Sequence, residues 1–313
     1  MTKIILISLQ YEKFPDAKLN GCFNDAENFK NTISKIENLN DDNFLWMRDD
    51  LNSSNPLFPN RNNILNQIRK TILERHKKIY IHFSGHGYSI TDYNNDEINL
   101  KNNIDNNELF RLNSLNEDSC IVTNEGSYLN ILTDDEIFKY LSINNFNQNI
   151  YAFFDCCHAG TIFDLAYVTA IKYNNNFPEF SDFNSSIEYS KDNCTCLKSY
   201  YPNKVDKVKG NIFLISGCRD KQYSYESQID SKVSGHFTTQ LCKILNSPNI
   251  NNYSLEDVFY LVTFLINDKN QIPVYSSNKD TLMSEIKPWE PVTTLTTYNH
   301  NLKWWLLRYY RSS

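Results

Sequence analysis

The stretch that decides the fold is "IYAFFDCCHAG", Ile150 to Gly160. An unbroken apolar run leads into a carboxylate, two adjacent thiols, an imidazole and a glycine. The run does not alternate with polar residues, as expected of a strand in a parallel sheet covered on both faces. Asp155 then ends the strand, and Cys156, Cys157 and His158 occupy the turn beyond it. This is either a core strand that happens to end in thiols or the rim of an active site. If it is a rim, the questions are which cysteine reacts and with what base.

A second segment has the same build. "YIHFSGHGYS" (80–89) is an apolar run followed by His86 between two glycines. The glycines suggest a sharp backbone turn and a close approach, at the strand end where open sheets place ligands. Alone, such a segment fits a satisfied core histidine equally well. Two neighbouring parallel strands ending in His86 and a cysteine would meet the need of thiol catalysis, an imidazole that takes or shares the thiol proton.

Further apolar runs read as strands at 3–9, 43–47, 211–216 and, shorter, 271–276. Between them lie helical patterns. Ala26, Phe29, Ile33 and Ile36 recur at helical spacing, as do Ile64, Ile68 and Ile72. Thr133 with Glu136, and Ser254 with Asp257, have the form of capping boxes. The alternation gives an α/β sandwich around a mostly parallel sheet.

Segment 172–210 breaks the rhythm. It is polar and carries Lys191, Lys198, Lys204, Lys207 and Lys209, as expected of a functional loop or linker. It divides the single expected domain, 1–313, into a larger front part, 1–171, and a smaller back part, 211–313. "LKWWLLRYY" near the end reads as a packing element.

The 31 Lys and Arg against 37 Asp and Glu leave a charge of −6 with no basic stripe, which argues against nucleic-acid binding. No run approaches the ~20 apolar residues of a membrane span. The first apolar run is too short for a signal peptide and reads better as a strand. The 8 cysteines are irregularly spaced, as expected of free thiols in a reducing, cytoplasmic protein. "CTC" at 194–196 lacks the second pair of ligands that a zinc site needs.

Taken together, "SGHG" and "DCCHAG" resemble the caspase-like cysteine peptidases, and specifically the type I metacaspases, whose second motif reads Asp-Ser-Cys-His-Ser-Gly. "LNGCFNDA" (19–26), "FLISGCRDKQYS" (213–224), "SGHFT" (234–238) and "QIPVYSS" (271–277) resemble further metacaspase segments in the same order. The resemblance implies a three-layer α/β/α sandwich around a mostly parallel six-stranded sheet. It puts the nucleophile at Cys157, with Cys156 in the place of a serine, and the base at His86. His158 is the motif's neighbouring histidine. Backbone N–H groups of Gly87 and Cys157 would hold the oxyanion.

The resemblance also implies a substrate pocket lined by Cys22, Asp25, Ser84 and Asp155. Asp25 is equally suited to a helix start, and Asp155 to a structural hydrogen bond. Two carboxylates in one closed pocket call for a cation, hence substrates with Arg or Lys before the scissile bond. Asp220 falls beside the pocket in the family pattern, or on a solvated loop. The family's Thr-Ser-Ala-Asp continuation reads "YSYE" here. Activation by Ca²⁺ through Asp134, Asp135 and Asp164 is a further implication, since hard oxygens suit that ion. The adjacent aspartates also fit a helix start, and the family's further acidic ligand falls on "IDNNELF" (104–110), where Asn107 replaces an aspartate.

The expectation is thus a monomeric cysteine endopeptidase that cuts peptides and proteins after Arg or Lys, is activated by calcium and cleaves itself in the loop 172–210. The alternative is a catalytically weak caspase-fold scaffold or regulatory protein.

Overall fold

A computed structural model describes residues 1–91 and 117–289, apart from 145, 174–186, 188–191, 193, 201–207, 221, 230–231, 269 and 281–282. In chain order, β1 (Thr2–Ser8) leads to α1 (Cys22–Glu37), β2 (Phe44–Arg48), α2 (Arg61–Leu73) and β3 (Lys78–Ser84). Next come β4 (Gly87–Thr91), β5 (Glu117–Asn124), β6 (Leu129–Thr133), α3 (Asp134–Leu141) and β7 (Asn149–Asp155). The rest is β8 (Tyr167–Tyr173), β9 (Cys194–Tyr200), β10 (Asn211–Ser216), β11 (Glu226–Ile229), β12 (Lys232–Gly235), α4 (His236–Leu245), α5 (Leu255–Ile266) and β13 (Val274–Ser277).

The main sheet runs β2-β1-β3-β7-β10-β13-β8-β9. Its first six strands are the six apolar runs of the sequence. Pairing is parallel from β2 through β10 and antiparallel from β10 through β9. The six-stranded expectation falls two short, because β8 and β9 extend the sheet. Within the segment expected to be irregular, Cys194–Tyr200 pairs along its whole length with Tyr167–Tyr173. Both stretches carry Thr and Tyr, which suit the pleated surface, but their polar residues hid them among loop material. Lys198 lies on β9 and Lys209 is exposed, whereas Lys191, Lys204 and Lys207 lie outside the described residues.

Two cores form, one on each face of the sheet. Along β7, Tyr151 and Phe153 face a core with Phe29 of α1, Phe237 of α4 and Val258 of α5. Ile150, Ala152 and Phe154 face the other, with Ile64 and Ile68 of α2 and Ile137 of α3. Period-two alternation between two apolar layers explains why the run never turns polar. Burying each such side chain contributes about 1.5–3 kcal/mol.

The helix starts follow local chemistry. Ser254 and Asp257 form the expected reciprocal capping box. Thr133 accepts the Glu136 N–H at the head of α3. A three-stranded sheet, β4-β5-β6, stands beside the main one, and β11 and β12 form a two-stranded sheet. Among the described residues, no helix is long and apolar enough to cross a membrane.

Candidate active site

Strands β1, β3, β7 and β10 point the same way, so their C-terminal ends share one edge. Ser8 is level with Ser84, and Ser84 with Asp155. The two glycine-bearing turns therefore leave adjacent strands at the same height. They touch: a Cβ on Gly87 would overlap the Cys157 carbonyl oxygen and come 3.3 Å from Cys156 Sγ. A residue with any side chain there would drive the two turns apart.

The two thiols have different surroundings. Cys156 is 2% exposed and belongs to the core under the sheet. Burial pushes its thiol far up. Cys157 is partly exposed. Its sulfur receives the Ser224 N–H at 3.3 Å. Burial raises the Cys157 thiol, the Ser224 N–H opposes that rise, and the nearby Asp155 adds to it. In the free protein, Cys157 is therefore held as the neutral thiol.

His86 is fixed from three directions. Its N–H donates to the Tyr11 hydroxyl at 2.9 Å, and its ring stacks on Tyr11 at 4.9 Å. Nε2 donates to the Ala17 carbonyl at 2.8 Å. A carbonyl can only accept, so Nε2 carries the proton and Nδ1 of the neutral ring is left as the basic nitrogen. Among the described residues, no hydrogen bond joins the imidazole to Cys157. Asp49 shapes the Tyr11 turn by accepting the N–H groups of Gln10 and Tyr11 at 2.9 and 2.8 Å. His158 turns elsewhere, with φ 54°. Its Nδ1 meets the Asp220 carbonyl and, at 3.0 Å, Ser89 Oγ.

Cys22, Asp25, Ser84 and Asp155 do come together. Ser84 Oγ donates to Asp25 Oδ2 at 2.7 Å, and the Gly235 N–H donates to Asp25 Oδ1 at 2.8 Å. Asp155 accepts the Ser224 hydroxyl and, at 2.8 Å, the Thr238 N–H. Asp25 and Asp155 are 1% and 5% exposed, and no described Lys or Arg forms an ion pair with either. Burial raises the Asp25 carboxyl well above its usual range, and repulsion from Asp155 adds to this. Asp155 is raised by burial too, against the pull of Ser224, Thr238 and the nearby His236. Burial likewise raises the Cys22 thiol, with Asp25 as the next cause.

The sequence reading missed several members of this neighbourhood. Ser224 ties the thiol to Asp155 and accepts from Gln271 Nε2 at 3.0 Å. Glu226, the last letter of "YSYE", accepts the N–H groups of Asn20 and Gly21 at 3.0 and 2.6 Å, at the head of α1. Ala17 acts through its carbonyl, which no side-chain pattern signals. Asp220 is no solvated loop carboxylate: it is 1% exposed and accepts the Thr161 N–H at 2.9 Å.

Of the residues expected to bind calcium, Asp134 accepts the N–H groups of Ser119 and Asp135 at 2.9 and 3.0 Å. Asp164 is buried in the left-handed backbone region, with φ 53°. Among the described residues, no group of three or more His, Cys, Asp or Glu side chains is gathered to hold a metal ion. Residues 104–110, where the further acidic position falls, lie outside the described residues.

The sequence profile of the caspase domain matches residues 4–283. The chain is 24% identical over 281 residues to Metacaspase-1 of Scheffersomyces stipitis, covering 81% of this chain and 65% of that one. It is 26% identical over 295 residues to Metacaspase-1 of Plasmodium falciparum, covering 91% and 40%. With Metacaspase III c of Phaeodactylum tricornutum it is 25% identical over 193 residues, covering 60% and 51%. The chain thus spans about half to two thirds of the length of most of the curated relatives it matches. A Geobacter sulfurreducens protein of known crystal structure shares the fold at TM-score 0.54 and 19% identity, covering 92% of this chain and 98% of that one. With its sheet, its paired strand-end turns and this match along most of its length, the chain belongs to the caspase-domain family, with metacaspases among its relatives.

Proposed function

We propose that this protein is a cysteine endopeptidase that cuts after Arg or Lys, with Cys157 as nucleophile and His86 as base. The observation that carries the specificity is the pair of buried carboxylates, Asp25 and Asp155, each satisfied by N–H and hydroxyl donors yet without an ion pair to a described Lys or Arg. A guanidinium or ammonium entering between them would offset two raised carboxyls at once. An acidic side chain would add negative charge to a pair that already repels itself.

In the proposed chemistry, Cys157 Sγ attacks the substrate carbonyl while its proton passes to His86 Nδ1. The N–H groups of Gly87 and Cys157 hold the developing oxyanion. The carbon–nitrogen bond then breaks, and the same proton goes from His86 to the leaving amine. Water hydrolyses the acyl-enzyme and restores the thiol. The Ala17 carbonyl supports this sequence by holding Nε2–H, and so the ring, in one tautomer. A neutral resting thiol makes proton transfer part of the attack and not a step completed beforehand. Calcium activation through Asp134, Asp135 and Asp164 belongs to the proposal as well, but no step above is routed through the ion.

An Arg-directed chloromethyl ketone tests the reading. Peptide mapping should show an adduct at Cys157 that competing Arg peptide blocks, whatever reacts elsewhere on the chain. An equally fast adduct at Cys157 from an Asp-directed reagent would remove the basic specificity, and no adduct at Cys157 from either would favour the scaffold reading.

A further inference from the structure

A second group of thiols lies apart from the strand-end turns. Among the described residues, β9 closes one end of the main sheet and pairs only with β8. Residues two apart on a strand share a face, so Cys194, Cys196 and Lys198 stand in a row. Cys196 is exposed and Cys194 partly so. The Cys196 sulfur lies 2.9 Å from the hydroxyl of Tyr260, which α5 presents beneath the strand. Cys194 is hydrogen-bonded to both Cys196 and Tyr260. Two thiols and a phenol therefore meet at one accessible point.

We propose that Cys194 and Cys196, with Tyr260, form a peroxide-reactive dithiol, in which Cys196 is oxidised first and Cys194 converts the product to a disulfide. Redox-reactive cysteines are accessible, rich in thiolate and placed beside a second thiol. Hydrogen bonds from Cys194 and Tyr260, with Lys198 nearby, draw the Cys196 thiol down to about 6. The shared hydrogen bond raises Cys194 in return, and Cys157 and the buried thiols Cys22, Cys120, Cys156, Cys218 and Cys242 are all raised as well. The thiol richest in thiolate at neutral pH is thus not the proposed nucleophile.

The Cys196 thiolate attacks one oxygen of a hydroperoxide; the O–O bond breaks, and water or an alcohol leaves after taking up a proton. The sulfur, oxidised by two electrons, becomes a sulfenic acid. Cys194 sulfur then attacks it; the S–S bond forms, the S–O bond breaks, and hydroxide leaves with the Cys194 proton as water. Residues two apart on an extended strand lie about 6.6 Å apart, near the upper limit of ~6.8 Å between α-carbons for a disulfide. Closing the bond requires β9 to bend, which an edge strand with one neighbour accommodates. The Cys194–Tyr173 end of the pairing would yield.

The test uses the full chain, reduced and then exposed to hydrogen peroxide, with remaining thiols capped by N-ethylmaleimide and mapped by mass. The 194–196 segment should lose about 2 Da and take no cap, while Cys157 stays cappable. In Cys194→Ser, dimedone should trap a sulfenic acid at Cys196. Without peroxide, iodoacetamide at neutral pH should label Cys196 at least about tenfold faster than Cys157, and Tyr260→Phe should narrow that gap. Full capping of both Cys194 and Cys196 after peroxide, or labelling of Cys157 as fast as Cys196, would overturn the proposal. The wild-type measurements decide it even if a variant fails to fold.

Discussion

Asp25 and Asp155 meet over Gly235. The Gly235 N–H donates to Asp25, and a Cβ on that glycine would overlap the Asp155 carboxylate and come 3.0 Å from Asp25 Oδ2. Gly235 has φ −62°, which any residue adopts, so its lack of a side chain serves this approach and not a backbone strain. Gly235→Ala should therefore fold but displace the pair. We expect kcat/KM for Arg and Lys substrates to fall at least about tenfold, or ~1.4 kcal/mol. Matched substrate kinetics beside a thermal melt would check this.

The raised carboxyls predict a pH signature. Their folded-state pKa values lie above the unfolded ones, so the folded protein binds more protons in the window between the two. Stability conferred by that proton is present below the ordinary carboxyl pKa and is lost as pH rises through the raised values. Ionising the pair is therefore a cost to the folded protein. Asp25→Asn, whose amide keeps one acceptor for Gly235 and gains a donor for Ser84, should be as stable as wild type or more so at pH 7. It should lose at least about tenfold in kcat/KM on basic substrates. Denaturant melts across pH, run beside the kinetics, read both effects. A variant that is less stable at pH 7 would place the carboxylate in a purely structural role.

Tyr11 links the His86 turn to β5, since its hydroxyl accepts from the His86 N–H and donates to the Val122 carbonyl at 2.8 Å. Tyr11→Phe leaves both groups without that partner, at a cost of about 1–3 kcal/mol. Because the residue positions His86, kcat should fall more than KM rises. A rise in KM alone would detach Tyr11 from the imidazole.

Much of the frame was legible from the residues. The six apolar runs became six adjacent strands, and the Ser254 device capped the predicted helix, because unbroken burial and local capping leave direct marks. Strand register sets Ser84 level with Asp155, and the head of α1 carries Cys22 and Asp25 to them across long chain separations. What escaped notice acts through backbone or through distant contacts: the Ala17 carbonyl, the Ser224 N–H and the Glu226 carboxylate on α1. Strand β9 escaped because an edge strand needs only one apolar neighbour and tolerates "CTCLKSY".

Asp164 separates charge from backbone in the calcium proposal. Asn tolerates the left-handed region almost as well, so Asp164→Asn should keep the fold. If the residue serves calcium activation, the variant should need at least about tenfold more Ca²⁺ for half-activation. Wild-type activity that is unchanged by a chelator would remove calcium from the account.

The central claim is that Cys157 cleaves after basic residues because Asp25 and Asp155 receive the cation. The most direct measurement compares kcat/KM for peptides differing only in Arg, Lys, Gln or Asp before the scissile bond, using wild type, Cys157→Ala and Cys156→Ser. The account predicts turnover of the Arg and Lys peptides alone, none by Cys157→Ala, and most of it retained by Cys156→Ser. Cleavage of the Asp peptide at a comparable rate, or activity surviving in Cys157→Ala, would contradict it.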